Sequence, residues 1–146
     1  MHHRKKVKSL GRVARKRRAL MKSLAVSLIK SGKIKTTLTK AKALRPYIEK
    51  AVSRAGKEDI AVIRRLRRDF NMETVELLMR KWAPLFRNRK GGYMRISKLM
   101  VRVSDASPMA YIEFVEQPKE PEVKKKVKRS AAKKAKINKL KAKLDE

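Results

Sequence analysis

The N-terminal third of the chain contains no acidic side chain, and the first one to appear is Glu49. Lysines and arginines recur throughout this segment, and apolar residues at helical and strand spacing lie between them, as in a folded unit. Charge of a single sign opposes a compact state unless a partner neutralises it. The simplest partner for such a unit is one rich in phosphate.

The charge of the whole chain supports the same inference. Its 146 residues carry a formal net charge of +30, far more than the roughly 2–8 charges that keep a small domain soluble. The partner is therefore a nucleic acid or an anionic membrane. No apolar run approaches the roughly 20 residues that span a bilayer, and the N-terminus lacks the apolar segment of a signal peptide. We expect the protein in the cytoplasm or in an organelle matrix of similar character.

The sequence offers no catalytic or metal-binding constellation. It contains no cysteine, which excludes a disulfide scaffold and a thiolate zinc site. The two histidines, His2 and His3, are adjacent near the N-terminus, with no third ligand in view. The acidic pairs at residues 58–59 and at Glu73 and Glu76 fall at predicted helix starts, where they complement the helix dipole. We expect no enzymatic activity, no cofactor and no small-molecule substrate.

Helical spacing predicts about four helices. The first covers residues 13–31 and ends at Gly32, which suits a left-handed position. The second begins at Thr37 or Thr39, one of which we expect to cap it, and Pro46 inside its apolar stripe predicts a kink or a tighter first turn. Gly56 is predicted to stop it.

Two further helices follow, each with a predicted capping residue. Asp59 caps the third, in which Ile60, Ile63 and Leu66 are expected to face inward. Asn71 caps the fourth, whose apolar stripe contains Trp82, and we therefore expect the indole in the core.

Three segments are predicted to be strands. Residues 33–37 alternate and are β-branched, residues 93–103 alternate with a slip near residue 98, and residues 109–115 alternate again. The last two should form a hairpin, with residues 33–37 as the third strand. The expected fold is α+β, with a small, mostly antiparallel three-stranded sheet against about four helices.

We expect a basic RNA-binding arm at 1–12, a globular domain at 13–116 and a Lys-rich tail at 117–146, opened by prolines and either disordered or helical on binding.

Candidate nucleic-acid contacts fall in these basic segments. Lys40 and Lys42 lie near the start of a helix, where the dipole disfavours cations, and a bound phosphate would relieve the conflict. The glycines of the loop 89–92 either form a tight hairpin entry or let the backbone approach a phosphate, and the two alternatives are compatible. Tyr93 either stacks on a base or packs at the hairpin. The predicted contacts are His3, Arg4, Lys5, Lys6, Lys8, Arg12, Arg15, Lys16, Arg17, Arg18, Lys35, Thr36, Thr37, Lys40, Lys42, Arg64, Arg65, Arg89, Lys90, Gly91, Gly92, Tyr93 and Arg95.

Several short motifs, in order along residues 1–116, resemble those of a known protein family. In order, they are His3-Arg4-Lys5, Leu10-Gly11-Arg12, Arg18-Ala19-Leu20, Ile34-x-Thr36-Thr37-x-x-Lys40-Ala41-Lys42 followed by Glu49, Gly91-Gly92-Tyr93-x-Arg95-Ile96, Asp105-x-x-Pro108-Met109-Ala110 and Ile112-Glu113. Together the motifs resemble the bacterial-type large-subunit ribosomal proteins of the family numbered seventeen.

The resemblance implies an α+β protein that assembles into the large ribosomal subunit by contact with its ribosomal RNA. It implies a place in the cytoplasmic ribosome, on the solvent side near the polypeptide exit region, beside neighbouring ribosomal proteins. We expect no membrane contact and no homo-oligomer. The alternatives are a nucleoid-type DNA-binding protein, a membrane-surface protein driven by the basic tail, and a small hydrolase. The sequence shows no helix-turn-helix, zinc-finger or basic-zipper pattern, and RNA recognition through shape and backbone fits the composition better.

Overall fold

The protein has the α+β architecture that the sequence predicts. A computed structural model describes residues 9–57 and 59–118. The helices are α1 (Ala14–Ser31), α2 (Leu38–Ala55), α3 (Ile60–Leu66) and α4 (Met72–Leu77), and the strands are β1 (Lys33–Thr37), β2 (Met94–Lys98) and β3 (Met109–Phe114). After α4 the chain continues as a π-helical turn, Leu78–Trp82, and a 3₁₀ turn, Ala83–Phe86.

The sheet has the order β1-β3-β2, and both pairings are antiparallel. Ile112 of β3 lies opposite Ile34 of β1 and Ile96 of β2. The predicted hairpin and its third strand are therefore confirmed. The predicted length of the second strand is wrong, because β2 ends at Lys98, and Met100 and Val103 are exposed in the following loop.

The core lies between the sheet and the two long helices. Leu28 of α1, Leu44 and Ile48 of α2, and Ile112 of β3 are completely buried. Trp82 is also buried, as predicted, and its ring stacks on Phe114 at 3.9 Å between centroids. The fourth helical segment is thereby fixed against the central strand.

Of three predictions about helix ends, two are confirmed and one is wrong. Gly32 adopts φ 77° and donates its N–H to the carbonyl of Leu28 at 2.7 Å, as predicted. Asp59 accepts a hydrogen bond from the N–H of Ala61 at 3.2 Å, which confirms that cap. Thr37 precedes α2, but its side chain makes no capping hydrogen bond in the described structure, so that predicted cap is wrong. The N–H of Leu38 donates to the carbonyl of Pro108 at 2.8 Å.

Three smaller predictions can be compared with the structure, and the first two are wrong. Asn71 does not cap α4 through its side chain, whose Oδ1 accepts instead from the hydroxyl of Thr74. Ile60, predicted to face inward, is 67% exposed, since it occupies the first turn of a short helix at the surface. α2 runs as one helix from Leu38 to Ala55 with Pro46 inside it, and Pro46 itself is exposed.

Candidate nucleic-acid interface

The N-terminal turns of α1 carry the predicted basic cluster. Arg15, Lys16 and Arg18 are exposed, and Arg17 is half-buried. No acidic residue lies in the first turn of this helix. The guanidinium of Arg17 donates to the carbonyl of Arg12 at 3.3 Å, which ties the segment before the helix to its first turn. This end of α1 therefore presents concentrated positive charge.

A cleft separates these turns of α1 from the first half of α2. Arg17, Arg18 and Lys22 of α1 line it together with Lys42 of α2, and its volume is about 440 Å³. Cations predicted from two separate sequence segments therefore meet at one surface. The structure brings Arg17 and Arg18 together with Lys42, because α1 and α2 pack against each other.

The single acidic side chain in the cleft is already paired. Asp69 accepts an ion pair from Lys22 at 3.0 Å, and Lys22 also donates to the carbonyl of Arg68 at 2.8 Å. The arginines and Lys42 are therefore the cations that remain to meet an anionic ligand. Sequence analysis missed Lys22, although its position four residues after Arg18 places it on the same helix face.

Tyr47 forms part of the cleft wall and was also missed. Burial raises the pKa of its hydroxyl to about 12, and the nearby carboxylate of Asp69 adds to the rise. The hydroxyl oxygen has no hydrogen-bond partner among the described residues. Its ring meets Phe70 edge to face at 6.1 Å.

The outer face of the sheet is a second basic surface. Lys35 of β1 and Arg95 of β2 are exposed, and the pairing register places Lys33 and Arg95 on either side of Glu113. Lys33 pairs with Glu113 at 2.9 Å and lies 4.4 Å from the ring centre of Tyr111. Lys35 and Arg95 therefore lie on one face of the sheet, as alternation along strands requires.

The two predicted threonine contacts differ in exposure. Thr36 is 8% exposed and Thr37 is half-buried. Thr36 alternates with Lys35 and so faces the core side of β1. A contact from its hydroxyl is therefore less favourable than one from Lys35.

The basic glycine loop is open to a ligand. Gly91 and Gly92 are exposed, and a side-chain carbon at either position would meet no atom within 4 Å. Both alternatives for this loop remain compatible with the structure. Arg89 is already engaged, since its guanidinium lies 3.4 Å from the carboxylate of Glu116, whereas Lys90 is exposed.

Tyr93 takes the second of its two predicted roles. It is 6% exposed, and its ring lies 5.1 Å from that of Phe86 in the core. Stacking on a base would require the ring to leave this position. The packing at the hairpin entry is the alternative that the structure supports.

The remaining predicted contacts lie elsewhere. Arg64 and Arg65 are exposed on α3 and do not line the cleft, and Lys40 is half-buried near the start of α2. His3, Arg4, Lys5, Lys6 and Lys8 lie outside the described residues, as does most of the predicted tail.

Other kinds of site find little support in the described part of the chain. Within residues 9–57 and 59–118, no group of three or more histidine, cysteine or acidic side chains could hold a metal ion. No helix in the same ranges combines the length and apolar character needed to cross a bilayer.

Comparisons with known proteins agree with this picture. The family model described as Ribosomal protein L17 matches residues 20–115. A large ribosomal subunit protein bL17 of Persephonella marina is 49% identical over 121 residues, which cover 81% of this chain and 98% of that protein. The bL17 protein of Campylobacter concisus is 47% identical over 116 residues, which cover 79% of this chain and 98% of that protein. The chain therefore belongs to the bL17 family, whose members are structural, non-enzymatic proteins of the large ribosomal subunit in the cytoplasm.

Proposed function

We propose that this protein stabilises the large ribosomal subunit by binding its ribosomal RNA, with the mouth of the α1–α2 cleft as the central contact. The observation that carries the proposal is the convergence of Arg17, Arg18 and Lys42 on one surface whose single carboxylate is already paired. Lysines and arginines that replace counterions bind phosphate whatever the base sequence. The folded core fixes where those charges stand, so the contact depends on RNA shape.

The outer face of the sheet and the glycine loop extend this surface. Lys35 and Arg95 would contact phosphates, and Gly91 and Gly92 would let a strand of RNA approach the backbone. Residues 1–12 would act as a further basic arm. The resemblance adds a position on the solvent side of the subunit, near the polypeptide exit region and beside other ribosomal proteins.

The test is the salt dependence of binding to a transcript of large-subunit ribosomal RNA. The variant Arg17→Gln/Arg18→Gln/Lys42→Gln removes three charges at the cleft, and Arg67→Gln/Arg80→Gln/Arg87→Gln removes three exposed charges elsewhere on helical segments and turns. If each cleft cation contacts one phosphate, the magnitude of the slope of log K against log salt falls by about 2–3 in the first variant, since each phosphate contact contributes about 0.7–0.9. A smaller change is expected in the control.

Equal losses in the two variants would show that binding follows net charge alone and would contradict the proposal. Sedimentation of a cell lysate gives a second measurement. Co-migration with the large subunit through a moderate salt wash is the expected result. Release at mild salt, or equally tight binding to duplex DNA, would favour a nucleoid-type protein instead.

A further inference from the structure

We propose that the α1–α2 cleft holds one unstacked nucleotide of the large-subunit ribosomal RNA, with its phosphate on the cleft cations and its base against the apolar wall. This inference rests on the proposed function and adds a specific site to it. A surface that only neutralises the RNA backbone needs exposed charge and no recess.

The shape of the cleft is the first argument. Its volume of about 440 Å³ lies within the range of about 300–1,000 Å³ that is typical of small-molecule sites. Met21, Ala43, Pro46 and Tyr47 supply an apolar wall with one aromatic ring. A single-stranded base presents flat apolar faces, which proteins commonly cover with aromatic side chains or arginine planes.

The charge of the cleft is the second argument. Arg17, Arg18 and Lys42 line it, and Asp69 is neutralised by Lys22 at 3.0 Å. The net charge that faces an occupant is therefore positive. A purely apolar ligand would leave these cations without counter-charge, whereas a nucleotide supplies an anionic phosphate and an apolar base in one unit.

A backbone acceptor is the third feature. Pro46 has no N–H, so the carbonyl of Lys42 lacks the donor that a residue four positions later normally provides. Both residues line the cleft. A ring N–H or an exocyclic amino group of a base is a suitable donor for such a carbonyl.

The decisive experiment narrows the cleft without removing charge. Ala14 lines the cleft, and Ala14→Leu adds side-chain volume there while every cation stays. Ala19→Leu is the matched control, because Ala19 is exposed on the same helix and does not line the cleft. Leucine is nearly as good a helix former as alanine, so neither change should disturb α1.

The readout is chemical probing of a large-subunit ribosomal RNA transcript at single-nucleotide resolution, with the full-length chain. Acylation of 2′-hydroxyls reports unstacked nucleotides, and hydroxyl-radical cleavage reports backbone protection. We expect Ala14→Leu to abolish the acylation change at one unpaired nucleotide and to weaken binding about fivefold or more, the lower end of the effect of losing a stacked base. Backbone protection elsewhere should persist, and Ala19→Leu should behave as the wild type.

The outcomes separate the two proposals. No protection by the wild-type chain would contradict the proposed function itself. Protection that is identical for wild type, Ala14→Leu and Ala19→Leu would leave that function standing and overturn the nucleotide site.

A photo-crosslinking amino acid at position 14 tests the occupant directly in the same complex. A covalent adduct to one nucleotide supports the proposal. An adduct to residues 1–8 of the chain would show that the protein fills its own cleft, and the inference would be wrong.

Discussion

The indole N–H of Trp82 donates a hydrogen bond to the backbone carbonyl of Ile29 across 2.8 Å. Ile29 lies in the last turn of α1, where carbonyl groups have no helical donor. The tryptophan therefore caps this helix end from a segment 53 residues away in sequence. The same ring stacks on Phe114 of the central strand, so one side chain connects α1, the π-helical turn and the sheet.

Replacing Trp82 with phenylalanine tests this connection. Trp82→Phe keeps an aromatic ring but leaves the Ile29 carbonyl buried without its donor, which costs about 1–3 kcal/mol, and a small cavity adds to the loss. We expect a lower free energy of unfolding in urea denaturation. Met100→Ala serves as control, because Met100 is 91% exposed and its truncation should change stability by about 0.5 kcal/mol or less. Similar stabilities for the two variants would show that the indole hydrogen bond contributes nothing.

Alanine substitutions at three glycines can distinguish the free-energy cost of backbone strain from that of a steric clash. Gly32 has φ 77°, and a Cβ there would lie 3.0 Å from Cη2 of Trp82. Gly92 has φ 68° with open space around it, and Gly91 has neither constraint. Gly92→Ala should lower the free energy of unfolding by about 1–2 kcal/mol through the left-handed conformation alone. Gly32→Ala should lower it more, because the fixed ring of Trp82 lies against the added Cβ. Gly91→Ala should lower it least.

Thermal and urea unfolding of the three alanine variants check this order. A Gly32→Ala variant no less stable than Gly92→Ala would mean that the tryptophan ring moves aside easily. In that case its hydrogen bond and stack would not hold it in place.

The raised pKa of the Tyr47 hydroxyl predicts that the protein loses stability at high pH. Burial, reinforced by Asp69, raises its pKa from 10.0 to about 12. Between these values the unfolded chain has lost the phenolic proton while the native chain retains it, so the free energy of unfolding falls as the pH rises. This contribution is fully present below pH 10 and is lost as the pH passes about 12. In Tyr47→Phe, urea unfolding at several pH values in this window should show a shallower fall than in the wild type. Parallel curves for the two proteins would contradict the prediction.

The loop between β2 and β3 is held by a small polar network. Nε and Nη2 of Arg102 donate to the two carboxylate oxygens of Asp105 at 2.8 Å and 2.6 Å, and the Ser107 hydroxyl donates at 2.8 Å. The hydrogen bond from Arg102 holds the pKa of Asp105 below its usual range. The network should therefore persist as the pH falls below 3.8, the usual pKa of this carboxyl, and be lost only in stronger acid.

Asp105→Asn should loosen this loop without unfolding the protein. The network is exposed, so the global stability should change by no more than about 0.5 kcal/mol. The amide of Arg102, which donates to the carbonyl of Ser107 at 2.9 Å, should exchange with solvent faster in the variant. Hydrogen exchange followed by NMR measures this, with Ser104→Ala as control. Unchanged exchange at Arg102 would show that the backbone alone holds the loop.

Much of the fold follows from local patterns. Helical spacing predicts α1 and α2 because apolar residues recur every three or four positions, and Gly32 marks a helix end because glycine tolerates the left-handed conformation. The strand β2 was overextended for a physical reason. Leu99, Val101 and Val103 alternate as a strand does, but Val101 is 57% exposed and Val103 is fully exposed, so their side chains have no layer to pack against in the described structure.

The candidate site was predicted in parts. Absence of nearby acidic residues predicts the arginines of α1 as contacts, and a position near a helix start predicts Lys40 and Lys42. Thr37, one of the two predicted caps of α2, makes no side-chain capping hydrogen bond with the described residues. Sequence reasoning could not place Arg18 beside Lys42, because no local rule relates residues on two different helices.

The sequence by itself indicated an anionic partner, most of the secondary structure and the family, since charge, periodicity and ordered motifs are properties of neighbouring residues. The tertiary structure alone decided the cleft, the capping of Ile29 by Trp82 and the burial of Tyr93. These features depend on side chains that meet only after the helices pack on the sheet, and packing free energy is set by that three-dimensional arrangement.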